Sequence, residues 1–132
     1  MIDVFEKYAT DEKKEISGAE VSLGGGTTIL VARLNNDNHA ARIHELCELN
    51  REILDNDDEE ARKLDKDLFI QVLAETVLLG WKNLSYKGKK LTYSKSNAMT
   101  LLAMRDFRNM VIAEASKFDN FKAKAEESDI KN

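Results

Sequence analysis

Four residues of this chain are the best placed to do chemistry: His39, His44, Cys47 and Glu75. The two histidines are five residues apart. That is a poor spacing for two ligands of one metal on a helix, where positions three or four apart share a face. Both are expected at the edge of a polar face. One cysteine excludes a disulfide within the chain and any cysteine-based zinc site. Cys47, on the apolar side of a helical pattern, reads as a small core residue. Glu75 interrupts the apolar run Leu68–Trp81. A buried carboxylate without a partner is costly, so Glu75 is expected in an ion pair or at a helix edge. No nucleophile, base and acid share a spacing that supports catalysis, so no enzymatic activity, cofactor or metal is expected.

Three further patterns resemble binding motifs. Gly24-Gly25-Gly26 could cradle a phosphate, but a phosphate loop needs a helix opening after the glycines and a Gly-Lys-Ser/Thr ending. Here Thr27-Thr28-Ile29-Leu30-Val31 follows, a strand-forming run, so the glycines read as a hairpin turn. The acidic run Asp55–Glu60 lacks the alternation and central Gly of an EF-hand loop. It reads as a loop and first helical turn that suit the helix dipole. From Lys82 to Lys95 there are five lysines and no acid, with Tyr86 and Tyr93 among them. Basic and aromatic residues together can bind nucleic acid. The whole chain, however, has 20 Lys+Arg against 24 Asp+Glu and a net charge of −4, which favours a solvated loop and no nucleic-acid partner.

The elements that carry these residues follow from pattern and capping. At 132 residues the chain fits one domain. Residues 1–18 are expected as a loosely ordered N-terminal arm, 19–121 as a single globular domain, and 122–132 as a flexible polar C-terminal tail. Ala19–Leu23 alternates with period two and, with residues 27–34, predicts a β-hairpin. Asn35–Asn38 caps a helix over His39–Leu54, with positions 43, 46, 47, 50 and 54 on one face. A central helix is expected from about Asp57 to Gly80, apolar on nearly all sides in its second half, with Trp81 largely buried behind it. Gly88 marks a second short turn. Ser94 caps a helix through Leu102, and Asp106 caps a last helix carrying Phe107, Met110, Val111 and Phe118, with Phe121 extending the stripe. The fold class is α+β and mainly α-helical: an N-terminal β-hairpin, then a helical bundle with a long apolar central helix and a short second hairpin. No apolar run approaches the roughly 20 residues that span a bilayer, so no membrane association is expected. Residues 1–7 lack the features of a signal peptide, which points to a cytoplasmic location.

The order of features in the C-terminal two-thirds resembles the tail assembly chaperones of long-tailed bacteriophages. An apolar helix ends in Leu78-Leu79-Gly80-Trp81, and a Gly88 turn precedes Leu91-Thr92-Tyr93-Ser94. Then come Asn97-Ala98-Met99-Thr100-Leu101-Leu102 and a final helix that closes near Phe118–Phe121. The likeness spans roughly residues 28–121. It implies a non-enzymatic protein of the infected host's cytoplasm that binds the tail tape measure protein and helps recruit tail tube subunits. A partner for long amphipathic helices needs an apolar groove. The residues expected to supply it are Leu68, Val72, Leu79, Met99, Met104, Met110 and Phe118. A structural virion component, such as a head–tail connector or tail completion protein, is the alternative, and a nucleic-acid-binding regulator using the lysine-rich segment is a third reading. The open edge of the hairpin and the apolar central helix also lead us to expect weak homo-oligomers.

Overall fold

The computed structural model of the chain describes residues 1–123. It opens on two short helices, α1 (Val4–Tyr8) and α2 (Glu12–Ser17). Each is started by an aspartate, Asp3 and Asp11, whose carboxylate accepts two backbone N–H bonds of the first turn. The chain between them is tied to the other end of the molecule. The Asp11 N–H donates to the Phe121 carbonyl at 2.8 Å, and the Ala123 N–H to the Ala9 carbonyl at 2.9 Å. Of the polar tail expected over 122–132, residues 124–132 lie outside the described residues.

Strands β1 (Ala19–Gly24) and β2 (Thr27–Val31) form the expected antiparallel hairpin. All three turn glycines have positive φ, the backbone region that glycine enters without strain. Gly18, at the entry to β1, has φ 103°, and a Cβ there would lie 2.7 Å from the Leu30 side chain.

The chain then passes through α3 (Asp37–Leu49), α4 (Arg51–Leu54) and α5 (Glu59–Thr76). Asn36 caps α3, and Asp58 caps α5. The single helix expected over His39–Leu54 is broken at Asn50. Its side-chain amide donates to the Leu46 carbonyl at 2.7 Å, closing the end of α3, and its own backbone leaves helical geometry.

The central helix is also shorter than expected. It ends at Thr76, and Leu78–Lys82 forms β3, a third strand antiparallel to β2. The sheet order is β1-β2-β3, so the last apolar residues complete the sheet instead of lengthening the helix. Thr76 and Val77 are β-branched and favour strand geometry. Gly80 would weaken a helix interior by about 1 kcal/mol, and here it fits beside Leu30. The run is apolar on every side because it is two elements, each packed on different neighbours.

Strands β4 (Ser85–Tyr86) and β5 (Lys89–Lys90) make the short second hairpin around Lys87-Gly88. Both turn residues have positive φ, as the commonest two-residue hairpin turns require. Helix α6 (Lys95–Leu102) starts at Ser94, whose hydroxyl accepts the Asn97 N–H. Helix α7 (Arg105–Ser116) begins one residue before Asp106, so Asp106 sits in its first turn and is not its cap. The short helix α8 (Phe118–Phe121) ends the described fold.

The core lies where the sheet meets the helices. Ile29 and Val31 of β2, Leu73 of α5, Val77 and Leu78, Leu102 of α6, Val111 and Ala115 of α7, and Phe121 pack as one cluster. Asn120 folds back to donate to the Glu114 carbonyl at 2.8 Å, holding α8 against α7 so that Phe121 reaches this cluster.

Candidate functional site: an apolar crevice between two helices

Helices α3 and α5 run antiparallel, and polar side chains pin them at one end. The Asn36 side chain accepts the His39 N–H at 3.1 Å and donates to the carbonyls of Arg33 and Thr76, at 2.7 and 3.1 Å. The Thr76 hydroxyl donates to the Val72 carbonyl at 2.8 Å and lies 3.3 Å from His39 Nδ1. With the hydroxyl proton committed to Val72, the ring nitrogen is the donor of that second bond. His39 was expected at a polar edge. It is instead 1% exposed, edge-on to Phe69 with ring centroids 6.4 Å apart. Its apolar surroundings disfavour the charged ring and lower its pKa.

One turn along, Arg42 Nε donates to Glu75 at 3.0 Å, Lys95 of α6 reaches the same carboxylate at 3.1 Å, and Arg42 also binds Glu45. Burial works to raise the Glu75 pKa. The hydrogen bonds from Arg42 and Lys95, with their charges, outweigh it and hold the carboxyl below its usual value. Glu75 is therefore the satisfied ion-pair residue expected from its position, joining three helices.

Beyond these pins an apolar crevice of about 120 Å³ lies between the two helices. Ile43, Leu46 and Cys47 line it from α3; Asp65, Leu68, Phe69 and Val72 line it from α5. Cys47 is a half-buried free thiol. His44 is exposed and does not line the crevice. Among the described residues no three His, Cys, Asp or Glu side chains gather as a metal-binding group.

Of the seven residues expected to face a partner, only Leu68 and Val72 come together here, and Val72 forms the floor at 1% exposed. Leu79 is half-buried in β3. Met99 and Met110 pack onto the central core from α6 and α7, and Phe118 is half-buried in α8. Met104 is exposed at the corner between α6 and α7. It lines a separate depression with Leu23, Leu84, Tyr86, Leu101 and Phe107. The α3 wall of the crevice was not foreseen. Its signal was the 43–46–47 stripe, which identifies an apolar face but not the helix that it meets.

Trp81 was expected to be largely buried. It is half-buried, with its indole N–H donating to the Leu91 carbonyl at 2.7 Å and its ring edge-on to Tyr93, centroids 4.9 Å apart. The Tyr93 hydroxyl in turn donates to the Leu78 carbonyl at 2.8 Å. Together these bonds fasten the segment after β5 across β3.

Among the described residues no helix is long and apolar enough to cross a membrane. Neither a curated protein nor a solved structure matches the chain. A family model described as YdaY prophage protein matches residues 34–132. The match takes in both walls of the crevice and more than half of the chain, which therefore belongs to the YdaY prophage protein family.

Proposed function

We propose that this protein is a non-enzymatic tail assembly chaperone that binds the tape measure protein in the host cytoplasm and helps recruit tail tube subunits. The crevice between α3 and α5 carries this reading. It is apolar, lies between two antiparallel helices, and has the charged Asp65 on its α5 wall. An amphipathic helix docks in such a groove by inserting side chains at spacings of three and four residues. Membership of a prophage protein family is consistent with this role, and so is the feature order shared with tail chaperones.

Co-expression with fragments of a tape measure protein tests the reading. The wild-type chain is expected to keep the fragments soluble and to co-purify with them. Leu68→Glu, a half-buried position on the crevice wall, should abolish co-purification while leaving the fold intact. Unchanged capture by that variant, or no capture by the wild type, would refute it. The hairpin tip at Gly24–Gly26, where a Cβ on any of the three glycines would meet open space, favours the connector alternative. Mass spectrometry of purified virions separates the two: a ring-like copy number supports a connector, and absence supports a chaperone.

A further inference from the structure

The crevice between α3 and α5 is small and carries a single charge. Its volume is about 120 Å³. An apolar cavity of about 150 Å³ takes up one benzene, so this crevice holds one aliphatic side chain and not a row of them. Val72, 1% exposed, closes the floor. Asp65, Leu68, Phe69 and Val72 follow one another on α5 at steps of three and four residues. Such steps set them on one helix face, with the acid at the end away from Glu75.

Asp65 differs from the other charges near the crevice. Arg42 is bound to Glu45 and Glu75, and Glu48 to Arg51. Arg62, Lys63 and Lys66 line a different depression together with Glu59 and Glu60. Asp65 is exposed, makes no salt bridge among the described residues, and is the one acid on the crevice wall. Its carboxylate is hydrated while the crevice is open to water. A partner that covers the apolar wall strips part of that water away, and a carboxylate left without a counter-charge then weakens binding. A cation on the partner, placed beside Asp65, offsets that cost.

We infer that the crevice selects a helix bearing one aliphatic anchor, leucine or methionine, with a lysine or arginine one turn away on the same face. The anchor enters between the two helix walls above Val72. The basic side chain meets Asp65, so it occupies the end of the crevice away from Glu75. Side chains one turn apart on a helix have Cβ atoms about 5–6 Å apart, the same step that separates Asp65 from Leu68 and Phe69 on α5. Asp65 is thus the specificity residue and Val72 the floor of the anchor site. The inference rests on the crevice being the partner site, and it adds the chemistry of the segment taken there.

Amide NMR titration of the full chain with alanine-based helical peptides of about 20 residues, long enough to hold a helix, tests the inference. The first peptide carries one leucine with a lysine four residues to each side. The second has glutamate in place of both lysines, and the third has alanine in place of the leucine. The fourth keeps the leucine and moves each lysine two residues inward, to the opposite face. It matches the first in charge, so it controls for attraction to a chain of net charge −4. The first peptide should shift the amides of the α3 and α5 walls and bind at least about twofold tighter than the fourth and about fivefold tighter than the second. The third should not bind. Asp65→Asn, an exposed position, should weaken the first peptide about two- to fivefold, the range of an exposed ion pair, and leave the fourth unchanged. Asp65→Lys should reverse the order of the first two. Equal binding of the first and fourth peptides, an order that Asp65→Asn leaves intact, or no shift at the crevice would each overturn the inference. The expected order without capture of tape measure fragments would uphold it and refute the chaperone reading. Capture of those fragments without the order would do the opposite.

Discussion

Residues 1–8 and residues 68–81 both crowd large apolar side chains, yet the first group faces solvent and the second builds the core. Ile2, Val4, Phe5 and Tyr8 are all at least 59% exposed, whereas Val72, Leu73, Val77 and Leu78 are at 1% or less. Residues 1–8 carry three charges, Asp3, Glu6 and Lys7, against Glu75 alone in residues 68–81. The two also differ in the number of elements each can pack against. The elements that hold residues 68–81 meet β2, α3, α4 and α6. The α1 turn is held by the Asp3 cap and touches little else. The difference teaches that an apolar side chain contributes burial energy only where the fold supplies a second surface. That rule ranks the effects of truncating each region.

The largest loss is expected at Leu73. It is 0% exposed at the centre of the cluster joining helices and sheet. Leu73→Ala should destabilise the protein by about 2–5 kcal/mol, the range for deleting a buried leucine, measured by urea unfolding. A loss below about 1 kcal/mol would mean that this site collapses freely, and the contrast between the two regions would fail. Trp81→Ala should cost less, about 2 kcal/mol, because the ring is only half-buried. Trp81→Phe separates the ring from its bond to Leu91 and should cost about 1 kcal/mol, the net worth of one hydrogen bond.

How much of this was legible beforehand depended on how local the signal was. The three-glycine turn, the Lys87-Gly88 turn, Ser94 as a cap and the Asn36 cap all act within a few residues, and each appears where its chemistry places it. The end of α5 was not legible, because Leu78-Leu79-Gly80-Trp81 satisfies a buried helix and a buried strand equally. Only pairing with Ile29 and Leu30, some fifty residues earlier, selects the strand. His39 was misplaced for the same reason: its burial depends on Phe69 and Thr76, far along the chain. The crevice was half visible. Leu68 and Val72 stood out in the apolar run, but the α3 wall depends on an antiparallel contact that periodicity on one helix cannot report.

His39 gives a pH-dependent test of that long-range contact. Burial lowers its folded-state pKa, while in the unfolded chain it titrates near its ordinary value of about 6.5. Below that pH the unfolded state takes up the proton first, so stability falls as pH drops. The slope is at most about 1.4 kcal/mol per pH unit for one group. Glu75, with its pKa lowered by Arg42 and Lys95 after burial is offset, adds a loss in the same direction only at lower pH, below about 4.3. Urea melts between pH 7.5 and pH 5 therefore isolate the histidine. His39→Asn should flatten that slope, and an unchanged slope would show that His39 is not its source.

The smallest effect is expected at the other end of the comparison. Phe5 is 78% exposed in α1, a helix of five residues too short to be stable alone. Its removal from water on folding is slight, so its large side chain contributes little at about 25 cal/mol per Å² buried. Phe5→Ser should change stability by no more than about 0.5 kcal/mol, the usual range for surface substitutions. Breaking the anchor behind it should cost more. Residues 9–11 pair with 121–123, and Phe121 sits in the core, so Thr10→Pro would strain the segment that ties the two ends together. Amide hydrogen exchange then reads α1 and the anchor separately. Rapid exchange in Val4–Tyr8 beside protected Asp11 and Ala123 amides is the expected pattern. Protection of α1 to the level of α5, or a Phe5→Ser loss of several kcal/mol, would mean that a second surface covers these residues, and the contrast with residues 68–81 would no longer hold.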